Sequence, residues 1–139
     1  MDIETAVTFA REHSRSVLAT IRKDTRPQLS NVTHWVAEDG IIRISITADR
    51  AKYHNLRREP WAALHVTSED FWSYAVLEGK AELSPVAAEE GDATVEELIA
   101  YYRALSGEHP DWDDYRRAMV ADRRVVVRIT TTRAYGMLG

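Results

Sequence analysis

Hydrophobic positions recur along the chain with two periods, and the switches between them mark out its elements. In "DIETAVTFAREH" the apolar Ile3, Ala6, Val7 and Ala10 fall at helical spacing with Glu4 in the first turn, predicting an amphipathic helix. "SVLATIR" reads as a strand and "KDTRP" as a turn by its Asp, Thr and Pro content. "QLSNVTHWV" alternates: Leu29, Asn31, Thr33 and Trp35 share one face, and Gln28, Ser30, Val32, His34 and Val36 the other. Asp39-Gly40 separates this run from "IIRISIT", a hairpin signal. "RAKYHNLRRE" is helix-compatible and is stopped by Pro60.

The second half repeats the alternation of periods. "WAALHVT" and "WSYAVLEGKAEL" read as strands, the latter starting at Trp72 and carrying a bulge or bend at Gly79. "GDATVEELIAYYRALS" is the clearest helix, capped by Asp92 or Thr94, striped by Val95, Leu98, Ile99, Tyr102 and Leu105, and ended by Gly107. "HPDWDDYRRAMVADR" is a second helix with Pro110 in its first turn, and "RVVVRITTTRAYGML" closes the chain as a strand. About six strands joined by hairpins, with helices at the start and near the end, predict a mainly β fold: an antiparallel barrel with appended helices.

Composition narrows the classes. At 139 residues the chain has the size of one domain, with 45% hydrophobic and 29% charged residues. It has no cysteine, which removes disulfides, thiolate metal sites and a catalytic thiol. His13, His34, His54, His65 and His109 never pair at i, i+4, so no metal site is expected and packed or surface histidines are the ordinary outcome. Asp111, Asp113 and Asp114 fit a helix N-terminus better than a calcium loop. A net charge of −4 opposes general nucleic-acid binding. "MDIETAVTF" lacks a signal-peptide pattern and no apolar run approaches the about 20 residues of a membrane span, so a cytoplasmic protein without membrane attachment is expected.

The positive charge of this acidic chain gathers at one strand-to-helix junction, "ISITADRAKYHNLRREP". Arg50 and Lys52 fall at the first turn of the expected helix, where free backbone N–H groups and the helix dipole already favour an anion such as phosphate. Arg57 and Arg58 lie near its other end, where they complement the dipole and face solvent. Gln28, Ser30 and Asn31 on one strand, and Trp72, Ser73 and Tyr74 at the start of another, carry the polar and aromatic groups that hold a flat heterocycle. The competing assignment is equally ordinary: aromatic core or interface residues and solvent-facing polar strand positions. Nucleophile-elbow, G-x-G-x-x-G and P-loop patterns are all absent.

"VLATIRKDTRPQLSNV", "RAKYHNLRREP", "WSYAVLEGKAEL" and "GEHPDWDDYRRAMVADRRVVV" together resemble the actinobacterial branch of the flavin/deazaflavin oxidoreductases, related in fold to pyridoxine 5′-phosphate oxidase. The likeness spans roughly residues 5–136, with four separated motifs in order. It implies a split β-barrel of the FMN-binding type, forming a homodimer with cofactor sites in the clefts between subunits. It implies coenzyme F420 as cofactor, with FMN as the alternative. By the same resemblance Arg50 and Lys52, with Ala51 between them, hold the cofactor phosphate. Ser45 and Ile46 give polar and backbone contacts, while Gln28, Ser30 and Asn31, and Trp72, Ser73 and Tyr74, line the cofactor; Asn55 belongs to the same set. The C-terminal Trp of pyridoxine phosphate oxidases is missing from "RITTTRAYGMLG", which argues against that substrate, and leaves Arg128 and Tyr135 as residues to reach a partner's cleft.

The function so implied is hydride transfer between reduced F420 and a small organic substrate, with the cofactor supplying the chemistry and the protein its placement. Tyr74 is one candidate proton donor among solvent and backbone groups. Two alternatives stand: an FMN-dependent oxidoreductase on the same barrel, and a protein that binds or stores F420 without turnover.

Overall fold

The computed structural model describes residues 1–139. Helix α1 (Ile3–Glu12) leads into strands β1 (Arg15–Ile21), β2 (Pro27–Val36) and β3 (Ile42–Thr47). Helix α2 (Ala51–Arg58) crosses to β4 (Trp61–Thr67) and β5 (Tyr74–Leu83). Helices α3 (Ala93–Ser106) and α4 (Trp112–Ala121) precede β6 (Arg124–Met137). The six strands close into an antiparallel barrel in the order β1-β2-β3-β6-β5-β4, as the periodicity predicts. No helix is long and apolar enough to cross a membrane.

The local signals explain most boundaries. Asp2, Asp92 and Asp111 cap α1, α3 and α4 through their side chains. Gly40 takes φ +80° in the β2–β3 turn, and Gly107 ends α3 at φ +79°. At Gly79 the β5–β6 register shifts, and an added Cβ would lie 1.9 Å from the Thr130 carbonyl oxygen, so the strands approach as only glycine allows.

Two boundaries differ from the sequence pattern. Strand β5 begins at Tyr74, not Trp72, because Phe71 turns the chain at φ +72° and Ser68 gathers the loop by accepting the Ser73 N–H. Helix α4 begins at Trp112, after the Asp111 cap, so Pro110 precedes the helix rather than opening it.

Inward residues of all six strands build the main core: Leu18, Val36, Ile44, Leu64, Leu77 and Val127, for example. Helix α1 adds Ala6, Phe9 and Ala10, and α2 adds Leu56. A second cluster joins Val95, Leu98 and Ile99 of α3 and Tyr115 and Met119 of α4 to Val126 of β6. Thus "VVV" at 125–127 is buried on both faces, the middle valine meeting helices and its neighbours the barrel. His34 is packed inside: its Nε2 donates to the Ala10 carbonyl at 2.8 Å, which leaves Nδ1 to accept from the Ser16 hydroxyl at 2.7 Å. Burial lowers the His34 pKa, keeping this tie between α1, β1 and β2 neutral.

Candidate functional site

The site begins where a ladder stops. Strands β2 and β3 pair only at Val36/Ile42, Trp35/Arg43 and His34/Ile44. Beyond that point β2 continues against β1 alone, down to Pro27, and β3 continues against β6 alone, to Thr47. A wedge therefore opens between residues 27–33 and 45–47. Because β2 alternates, Gln28 and Ser30 occupy its inward face and Asn31 its outward face.

Side chains from four elements converge on this wedge. Ser45 of β3, Lys52 of α2, Tyr101 of α3 and Arg124 of β6, with Asn31, line a hollow of about 350 Å³. The Lys52 Nζ lies 3.5 Å from the Ser30 hydroxyl, and an Arg124 Nη1 lies 3.5 Å from that of Ser45. Both contacts sit at the long limit for a hydrogen bond, so neither cation is fully engaged. The buried Arg124 Nε has no hydrogen-bond partner, the Asp122 carboxylate standing 3.8 Å away. Burial lowers the Lys52 pKa, and the charges of Arg50 and Arg124 lower it further. Crowded, under-satisfied cations of one sign form a site with affinity for an anion.

The N-terminus of α2 strengthens that character. Arg50 is its N-cap, in extended conformation and without a side-chain cap, and no acidic residue occupies the first turn. Exposed first-turn N–H groups and the positive end of the dipole thus face two cations, an arrangement that an anion relieves. Arg50 lies in an adjoining hollow of about 440 Å³ that shares Arg124 with the first.

Tyr101 closes the wedge at its inner end. Its hydroxyl donates to the Thr33 carbonyl at 2.6 Å, standing in for the ladder that β2 and β3 have abandoned. Burial pushes its phenol pKa up, with the Ser45 backbone amide and Arg124 acting the other way, so it holds its proton at neutral pH.

Other expected residues lie elsewhere. Ala51 is exposed beside Lys52, while the Ile46 side chain is sealed in the barrel core, which leaves only its backbone to offer. Asn55 is buried, donating to the Thr20 hydroxyl at 3.1 Å and accepting from Arg58 at 3.1 Å. Its side-chain amide is engaged in holding α2 on β1. Arg58 also donates to the Ile21 carbonyl at 2.7 Å, and Arg57 stacks over Tyr53. Arg128 is bound to Glu97 within the chain and is not free to reach a partner. Tyr135 is exposed, with Arg133 over its ring.

Trp72, Ser73 and Tyr74 do not line the cation hollow. Trp72 is 81% exposed in the β4–β5 loop, Ser73 Oγ accepts the Gly139 N–H at 3.0 Å, and the Tyr74 ring meets His65 edge-on. Phe71 of the same loop overhangs a hollow of about 570 Å³ on the outer face of the barrel. That hollow and the cation hollow meet at Asn31, Val32 and Thr33, so β2 carries the connection between the aromatic loop and the cations.

The model of the pyridoxamine 5′-phosphate oxidase family matches residues 3–138. The chain belongs to the pyridoxamine 5′-phosphate oxidase family. Solved structures of the same fold include a conserved hypothetical protein, Rv2991, from Mycobacterium tuberculosis (TM-score 0.75, 24% identity, covering 98% of this chain and 84% of that one). A protein described as an F420 reductase matches with TM-score 0.72 and 22% identity over 92% of this chain and 94% of its own. A putative pyridoxamine 5′-phosphate oxidase from Listeria innocua matches with TM-score 0.68 and 16% identity over 97% of each chain. At these identities the likeness establishes the split-barrel fold that the family shares.

Proposed function

We propose that the protein is an oxidoreductase that transfers hydride between coenzyme F420 and a small organic substrate. The observation that carries the proposal is the wedge between β2 and β3, where Lys52 and Arg124 converge without a carboxylate in hydrogen-bonding contact. The donor set suits a phosphate-bearing cofactor: an ammonium, guanidinium groups, the α2 first turn and the Ser30 and Ser45 hydroxyls. The family, and a fold neighbour described as an F420 reductase, support the choice of cofactor.

In this reading Lys52, Arg50 and Arg124 hold the phosphate, and Ser30, Ser45 and the Ile46 backbone orient what lies beyond it. Gln28 and Asn31 offer amides to the edges of a heterocycle. Tyr101, protonated and fixed on Thr33, keeps the wedge at one width and excludes water from its inner end. Bound there, the deazaflavin supplies the hydride chemistry itself.

A homodimer belongs to the same proposal. Leu29, Phe71, Trp72 and Met137 are each more than 60% exposed, an apolar surface that a second copy would cover. Trp72, Ser73 and Tyr74 then act on the partner's site rather than their own, with Tyr74 a candidate proton donor in trans. Light scattering of the purified protein, compared with Trp72→Glu, tests this: a monomer in both would contradict it.

FMN is the second reading, because the same cations suit its phosphate and the family name points to flavin chemistry. Protein that purifies yellow with a flavin spectrum would favour it. Fluorescence titration with F420, followed by mixing the reduced coenzyme with a panel of hydride acceptors and following the return of the oxidised coenzyme's absorbance, tests the first reading. Saturable binding and turnover support it; binding without turnover across enones, quinones and nitroaromatics would leave a storage protein instead.

A further inference from the structure

The hollow on the outer face of the barrel lies apart from the wedge cations, and its walls describe a second ligand. It measures about 570 Å³, within the range of small-molecule sites. Three neighbouring strands make its floor. Thr33 of β2 pairs with Arg15 of β1, and Asn31 pairs with Val17, which pairs in turn with His65 of β4. Side chains so placed stand side by side on one face of the sheet. Val17 is therefore at the centre, with Arg15 beside it along β1, His65 across from it on β4, and Phe71 overhanging. Arg15 is exposed, and no carboxylate lines the hollow. Two carboxylates border the region. Asp70, next to Phe71, accepts from the Ser68 hydroxyl at 2.6 Å and the Trp72 N–H at 3.1 Å. Glu78, on the same face of the barrel, lies 3.9 Å from Arg133. Neither forms an ion pair with Arg15.

We propose that this hollow binds the substrate, and that the substrate is a flat, unsaturated organic acid. Its carboxylate is held by the Arg15 guanidinium, with a second hydrogen bond from His65, and its apolar body lies between Val17 and Phe71. The inference deepens the oxidoreductase reading and rests on it for the reaction, though not for binding. The hollow adjoins the wedge at Asn31, Val32 and Thr33, so a ligand in it would lie beside a ring directed along β2 from the cations. One guanidinium with no helix N-terminus suits a singly charged carboxylate, whereas a phosphate dianion calls for the several cations of the wedge. In the reaction the acceptor's double bond gains a hydride and a proton, together the two hydrogens that the reduced coenzyme gives up, and the carboxylate is unchanged. Arg15 binds and takes no part in the transfer. Phe71 belongs also to the apolar patch assigned to a second copy, so a dimer would shelter the hollow from water, where a charged contact is stronger.

Ligand-observed NMR titration with cinnamate and with its neutral amide, cinnamamide, tests the proposal and needs no coenzyme. Wild type should bind the acid several-fold more tightly than the amide. In Arg15→Gln that ratio should fall towards one, while Arg15→Lys keeps the charge without the fork and should keep part of it. Lys52→Ala should leave the ratio unchanged. Because the Arg15 side chain is exposed, both of its variants should melt with wild type and bind F420 as tightly. Equal affinity for acid and amide in wild type, or a ratio that survives Arg15→Gln, would overturn the proposal. Loss of the ratio in Lys52→Ala would overturn it too, by placing the acid among the wedge cations. So would weaker F420 binding in Arg15→Gln, which would assign Arg15 to the coenzyme and leave the F420 reading intact. Selective cinnamate binding by a protein that takes up no F420 would instead overturn the F420 reading and leave the organic-acid site standing.

Discussion

Glu97 fixes the helix that carries Tyr101, and its removal is the most informative perturbation of the scaffold. Its carboxylate accepts from Arg43 Nε at 2.8 Å and Arg128 Nε at 2.8 Å, with a further bond from Arg128 Nη2. The Glu97 side chain is 15% exposed, Arg43 14% and Arg128 32%, so this is a half-buried clamp of α3 onto β3 and β6. A charge-assisted bond contributes about 1.5–3 kcal/mol when buried, and exposure at Arg128 reduces its share. Glu97→Gln keeps one acceptor but strands part of two guanidiniums, while Arg43 retains Asp39 through bonds of 3.0 Å. The expected loss is about 2 kcal/mol, or a fall in Tm of about 6–10 °C for a chain of this size.

The pH dependence gives a sharper test of the same clamp. Burial raises the Glu97 pKa, but bonds from Arg128 and Arg43 outweigh it, and the net value lies below the usual 4.5. A depressed folded pKa contributes stability that is fully present above 4.5 and is lost as pH falls through the folded value. Thermal melts from pH 7 to pH 3 should therefore show wild type converging on Glu97→Gln as acid is added. A variant that melts within about 2 °C of wild type at pH 7, or a gap that stays constant to pH 3, would refute the clamp.

Three further outcomes follow from the geometry. Gly79→Ala places a methyl group against the Thr130 carbonyl oxygen, so the β5–β6 bulge must open; chemical denaturation should show a loss of about 3 kcal/mol or more, or no soluble protein. Tyr101→Phe removes the 2.6 Å bond across the wedge and should cost about 1 kcal/mol of stability, with weakened cofactor affinity measured by fluorescence titration and an unchanged far-ultraviolet spectrum. Lys52→Ala and Arg50→Ala should each weaken F420 binding about tenfold or more without lowering the Tm, because a charge-assisted contact is worth about 1.5–3 kcal/mol.

The strands and helices were legible because their causes are local. The alternation of Gln28–Val36, the Asp39-Gly40 turn, the Gly79 irregularity and the Asp92 cap each follow from side-chain size, backbone freedom or hydrogen bonding within a few residues. The cation pair at the start of α2 was legible for the same reason, since Arg50 and Lys52 are neighbours in sequence. The wedge was not, because an early end to a ladder depends on partners far along the chain.

Two residues of the site passed unnoticed for that reason. Arg124 lies in a charged pair before a buried strand, where nothing local distinguishes it from a solvated arginine. Tyr101 stands beside Tyr102 on α3; adjacent helical residues point about 100° apart, so one of the two had to leave the apolar stripe. That was the only hint. The partners of Asn55 were not legible either, since an amide on a basic helix serves a ligand or a neighbouring strand equally well, and in this structure it bonds Thr20 and Arg58.

The central claim is that the β2–β3 wedge holds the phosphate of a deazaflavin, and a crystal structure of the protein soaked with F420 tests it most directly. The account predicts the phosphate within hydrogen-bonding distance of Lys52 and of Arg50 or Arg124, with the ring directed along Ser30 and Asn31. A coenzyme bound with its phosphate outside this cation cluster would contradict it.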